Sequence, residues 1–141
     1  MSKLIDTSLS SGLMKFTFTD TDGDVIASFK LNPADIKLAA RCEEVSKYFE
    51  EQGDALPHNA DISHAVKLND ELENKICYLL GYDAHDSLFG MLSAVTILPD
   101  GDLFAVKVMQ RIQEVIGPEL RKRKQNMQKA VNKHTAKYQK R

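Results

Sequence analysis

The sequence predicts an α+β domain that is mainly α: an N-terminal β-hairpin followed by three to five amphipathic helices, the last long and basic. Three observations carry this reading. Met14 to Thr19 alternate in character at the period of a strand, and a second apolar run follows a polar, Gly-containing turn. Apolar residues then recur at helical spacing in several stretches. Asn, Asp, Pro and Gly stand where the caps and stops of those stretches belong. A chain of 141 residues, 43% hydrophobic and 28% charged, suits one domain with a sizeable core.

Residues 1–12, rich in Ser, read as a flexible leader, residues 13–117 as the hairpin-plus-helices domain, and residues 118–141 as a basic helical tail. In the hairpin, Met14, Phe16 and Phe18 share one face of the first strand and Lys15, Thr17 and Thr19 the other. Asp20 to Asp24 form the turn, with Gly23 free to take positive φ, and Val25 to Leu31 form the second strand. Two strands alone are marginal in water, so the hairpin needs a surface to cover.

Asn32-Pro33 reads as the start of the first helix, Asn as N-cap and Pro at the first helical position. Its apolar face is Leu38, Cys42, Val45 and Phe49, supported by Ile36 and Ala39. A linker follows from Gln52-Gly53 through Pro57 to about Asp61. The second helix, Ile62 to Leu80, carries Ala65, Leu68, Leu72, Ile76 and Leu79, with Gly81 as its C-cap. Asp83 is placed to cap a short helix through Leu92, and Val95 to Leu98 lead into a turn at Pro99-Asp-Gly101. Asp102 is placed to cap a further helix with Phe104, Val108, Ile112 and Val115 inward. Gly117-Pro118 predicts a break or kink, because Pro removes a backbone donor and clashes one turn back. Beyond it, Leu120, Met127, Val131 and Tyr138 form a thin apolar stripe.

The net charge of −1 hides an asymmetry. Between Pro118 and Arg141 lie nine of the 19 Lys and Arg but one of the 20 Asp and Glu, giving the tail +8 and the remainder −9. Such a tail can fold back on the acidic body or bind an acidic partner. Apolar stretches such as Ala94 to Leu98 are far too short to cross a bilayer. The N-terminus lacks the pattern of a signal peptide, which predicts a cytosolic protein without membrane association. Cys42 and Cys77 sit within apolar helical patterns and read as small buried hydrophobes.

No catalytic residue, metal ligand or cofactor is predicted. Asp20-x-Asp22-x-Asp24 opens like a calcium loop, but Val25 and Leu31 stand where Gly and Glu are needed. His58, His64, His85 and His134 match no zinc spacing. His85-Asp86-Ser87 holds residue types used in triads, yet neighbours in sequence do not make triad geometry, and a helix start accounts for them. Glu43-Glu44 and Glu50-Glu51 read as the solvated face of the first helix. The candidate partner-binding residues are therefore Leu120, Arg121, Lys122, Arg123, Lys124, Met127, Val131 and Tyr138. Two functional readings stand beside a merely solvated tail: an apolar stripe docking in a partner's groove, and a basic helix contacting nucleic acid. Tyr138 is the one aromatic there, so base stacking has little support.

The segment Lys15 to Glu51, with Phe29-Lys-Leu-Asn-Pro-Ala-Asp-Ile36 entering a helix, resembles small proteins encoded in tail modules of phages and prophages of Gram-positive bacteria. Leu68-Asn-Asp-Glu-Leu-Glu-Asn-Lys-Ile-Cys-Tyr-Leu-Leu-Gly-Tyr-Asp83 and Asp86-Ser-Leu-Phe-Gly90 carry the same resemblance, which extends from about Lys15 to Tyr138. Some such proteins are tail assembly chaperones. The resemblance implies a non-enzymatic protein of the bacterial host cytoplasm that holds the tape measure protein while tail tube subunits assemble around it. The alternatives are a nucleic-acid-binding regulator acting through the tail and a structural virion protein. Shared apolar stripes also permit a homo-oligomer.

Overall fold

The computed structural model describes residues 4–53 and 61–139, so the predicted linker through Pro57, with His58, lies almost wholly outside the described residues. Within them the chain forms β1 (Met14–Thr19), β2 (Val25–Leu31), α1 (Ile36–Gly53), α2 (Ile62–Leu80), α3 (His85–Phe89) and α4 (Phe104–Gln139). This is the predicted hairpin followed by four helices, the last of 36 residues.

The hairpin follows from its alternation. β1 and β2 pair antiparallel with Phe16 opposite Phe29, and the register shifts between Phe18 and Thr19 next to the turn. Gly23 takes φ +89°, and the Asp20 and Asp22 carboxylates accept backbone N–H groups within the turn. Those two acids are occupied in shaping the loop. On the inner face, Phe29 stacks on Phe16 at 5.2 Å between ring centroids, and Phe18 meets Phe104 of α4 edge-on at 5.6 Å. The hairpin thus finds the covering surface it needs on α4 and on α3, which packs against β2.

α1 and α2 lie side by side, and the first part of α4 packs on both. Their stripes converge on a core in which Phe29, Leu38, Val45, Ile76, Leu79, Leu88, Val108 and Ile112 are fully buried. That core is wholly apolar among the described residues.

Four predicted boundaries are corrected. α1 begins at Ile36, with Asp35 accepting the Lys37 N–H at 3.0 Å. Asn32-Pro33 instead forms the preceding turn, the Asn32 amide oxygen accepting from Ala34 N–H and the Pro33 ring buried in the core. α3 stops at Phe89, short of Leu92. Asp102 does not cap α4. The N–H groups of Phe104 and Ala105 reach the carbonyls of Thr96 and Ala94, and the Asp102 carboxylate pairs with Lys107 together with Asp100. A tertiary partner has replaced the local one.

Finally, α4 runs through Pro118 without a break. Glu114, Gly117 and Pro118 all face solvent, so water can take the Glu114 carbonyl that Pro118 leaves without its helical donor. Gly117 has no Cβ to meet the proline ring, which lifts much of the usual restriction on the preceding residue.

α2 carries the predicted C-cap, and Asp61, read in the sequence as the end of the linker, is its N-cap. Asp61 accepts from the His64 N–H at 2.8 Å, and Gly81 at φ +81° donates its N–H to the Cys77 carbonyl at 2.9 Å. Arg41 of α1 donates Nε–H to the Leu79 carbonyl at 3.0 Å, adding a cation at the helix C-terminus. A Cβ on residue 81 would stand 3.1 Å from the Arg41 guanidinium. Gly81→Ala is therefore expected to cost about 1 kcal/mol. In urea unfolding the midpoint should fall while the slope stays constant.

Candidate functional site

Two regions hold the chemistry left over from the core: the outer half of α4, and the junction where α2 turns into α3.

Past Ile116 no described residue of α4 is buried. At 3.6 residues per turn, Leu120, Met127, Val131 and Tyr138 fall within roughly 40° of arc, and the same face prolongs the side that buries Ile116. Leu120 is half-buried, Met127 is 60% exposed and Val131 50% exposed. Tyr138 lies on α4, but its side chain is outside the described residues. Arg121, Lys122 and Lys124 point to solvent, as do Lys129 and Lys133. The helix is thus a basic rod with an uncovered apolar seam.

Arg123 belongs elsewhere. Its guanidinium donates to the Asn32 amide oxygen at 2.7 Å and to the Gly12 carbonyl at 3.0 Å, and its Nε lies 3.4 Å from Glu119. Asn32 in turn donates to the Ser11 carbonyl at 2.9 Å. Gly12, at φ +80°, leaves room for the guanidinium that a Cβ would block. Of the four predicted basic residues in the cluster, this one joins α4 to the approach to β1 and the entry to α1. Sequence reading gives no signal for this, because Gly12, Asn32 and Arg123 meet only through the tertiary fold.

An open groove runs along α1 and α2 between Glu43, Glu44, Lys47, Tyr48, Glu71, Lys75 and Tyr78. The Tyr48 hydroxyl donates to Glu71 and the Tyr78 hydroxyl to Glu44, each at 2.9 Å. Desolvation and then the Glu71 carboxylate push the Tyr48 phenol up to about 12. Glu71 and Glu44 are thus each held by a tyrosine hydroxyl.

The second region was missed in the sequence. Gly81 reverses the chain after α2 and brings Asp83 and His85 back over Cys77, which is half-buried where a fully buried thiol was expected. Cys77 Sγ and His85 Nδ1 are 3.6 Å apart, and His85 Nδ1 lies 2.5 Å from Asp83 Oδ1. The other ring nitrogen, Nε2, lies 3.1 Å from the Asn74 amide oxygen, one turn before Cys77 on α2. Burial pushes the Cys77 thiol up, against an opposing hydrogen bond from the Ala84 N–H, while His85 holds the Asp83 carboxyl below its ordinary value. Ser87 turns away to the Ala84 carbonyl at 3.4 Å, so the His85-Asp86-Ser87 run does not form a triad. The sequence signal was a Cys, an Asp and a His straddling a helix-ending Gly, a spacing that acquires meaning only through the αL turn.

No helix among the described residues is long and apolar enough to cross a membrane. Compared with protein-family models, curated proteins and solved structures, the chain matches none.

Proposed function

We propose that the protein is a non-enzymatic assembly adaptor of the phage tail chaperone kind, holding a long helical tape measure protein and tail tube subunits during assembly. The observation that carries this reading is the outer half of α4, a basic helix whose apolar seam continues the core-facing side into solvent. Met127 and Val131, four residues apart, present one surface, flanked by Arg121, Lys122 and Lys124. A helix of this kind can lie along another amphipathic helix, covering its apolar stripe and pairing with its acids. The resemblance of the Lys15 to Tyr138 segment to tail-module proteins supplies the identity of that helix.

Co-expression with the tape measure protein from the same tail module tests the proposal. The full chain is expected to bring that protein into the soluble fraction and to co-purify with it. Met127→Glu with Val131→Glu should abolish both effects while leaving the folding stability within about 0.5 kcal/mol, since exposed sites contribute little. Unchanged tape-measure solubility with the wild-type chain would refute the reading. The exposed lysines and arginines favour one competing outcome: DNA binding that weakens steeply with salt and survives the Glu substitutions would identify a nucleic-acid regulator.

A further inference from the structure

We infer that Cys77, Asp83 and His85 form a binding site for a single divalent transition-metal ion, zinc by ligand chemistry, with Asn74 orienting the histidine. A thiolate, an imidazole and a carboxylate are a donor set that zinc accepts and that calcium or magnesium does not. The three ligand atoms lie within 4.8 Å of one another. Zinc–sulfur and zinc–nitrogen bonds of about 2.3 and 2.05 Å at a tetrahedral angle place sulfur and nitrogen roughly 3.6 Å apart. Cys77 Sγ and His85 Nδ1 are separated by 3.6 Å.

The histidine is also held as a metal ligand should be. Nε2 lies 3.1 Å from the Asn74 amide oxygen, so in the metal-bound tautomer Nε2–H would donate there and leave the Nδ1 lone pair facing Cys77 and Asp83. Without metal, the 2.5 Å approach of Nδ1 to the Asp83 carboxylate is bridged by a proton, whose place between the two atoms the metal ion would take. The metal requires that edge to open to roughly 3.3 Å. The Asp83 side chain is 81% exposed and can make the adjustment without disturbing the core. Three protein ligands leave one tetrahedral position for water. The bound ion would tie the end of α2 to the start of α3, and binding it would expel the Cys77 proton.

Cobalt(II) titration of the reduced, tag-free full chain provides the test, because cobalt adopts zinc's geometry and reports its ligands in its absorption. The expected result is a thiolate-to-cobalt charge-transfer band and strong tetrahedral d–d bands, saturating at one ion per chain and bleached by added zinc. Cys77→Ser and His85→Gln should abolish the charge-transfer and tetrahedral signals, respectively, with helical circular dichroism retained. Cys42→Ser, whose thiol is buried elsewhere, should preserve both. Asn74→Ala should weaken binding roughly 10- to 100-fold. His85→Gln also protects the test against misfolding of the Cys77 variant, since the His85 side chain is 41% exposed. Absence of a charge-transfer band in the wild-type chain, its persistence in Cys77→Ser, or unchanged affinity in both His85→Gln and Asn74→Ala would overturn the assignment.

Discussion

Phe29→Ala is expected to destabilise the protein by about 3–5 kcal/mol, a large part of the 5–15 kcal/mol that holds a typical domain together. The ring is 1% exposed and lies where the hairpin meets the helices. Phe16 stacks on it within the hairpin, and Phe18 approaches it at 6.0 Å between centroids. Phe18 in turn meets Phe104 of α4, which meets Phe89 of α3, so the aromatic contacts run from one layer into the other. Removing Phe29 leaves a cavity at the origin of that chain, and two short strands cannot hold their pairing without the face they cover. Urea unfolding followed by circular dichroism should show the midpoint collapse. Phe29→Leu, which retains much of the volume, should lose markedly less. Equal losses for the two variants would mean that hydrophobic volume at this position does not govern the hairpin's docking.

Arg123→Ala is expected to have the second-largest effect, about 1.5–3 kcal/mol, toward the lower figure because the side chain is 28% exposed. The substitution leaves the Gly12 carbonyl and the Asn32 amide oxygen without their charged donor. Arg123→Lys should recover only part of the loss, because an ammonium cannot reproduce the two-pronged geometry of the guanidinium. Lys124→Ala, one residue further along, should stay within about 0.5 kcal/mol since its side chain faces solvent. Chemical denaturation of the three variants separates anchoring from surface charge. Limited proteolysis near Ser11 should accelerate in Arg123→Ala alone. Equal stability of all three would remove the anchoring role.

The features legible in the sequence are those decided locally. Alternation in Met14 to Thr19, Gly23 in the turn, and Gly81 at the end of α2 all took the predicted roles, because each depends on a few neighbouring residues. Tertiary partners decided the rest. Asp102 lost the capping role because the carbonyls of Thr96 and Ala94, from the preceding loop, take the N–H groups of Phe104 and Ala105. Pro118 failed to break α4 because its orphaned carbonyl lies on the wet side and a glycine precedes it, and neither orientation nor solvent access is written in the dipeptide. The same limit applies to the sites. Leu120, Met127 and Val131 were legible as a stripe from their spacing alone. The separation of Arg123 from Lys124 by role was not, nor was the meeting of Cys77 with His85, since both require knowing which turn folds back on which helix.

The continuity of α4 has a consequence for how its outer half is ordered. A helical segment of this length, standing alone, must first pay the steep entropic penalty of fixing its opening turn. Here the buried turns around Val108 and Ile112 have already set that turn, so each outer residue need only extend an existing ladder. The Lys, Arg, Gln, Ala and Met found there extend it readily. Order in the outer half of α4 is therefore borrowed from the core, with Pro118 as the missing rung between the packed turns and the exposed ones.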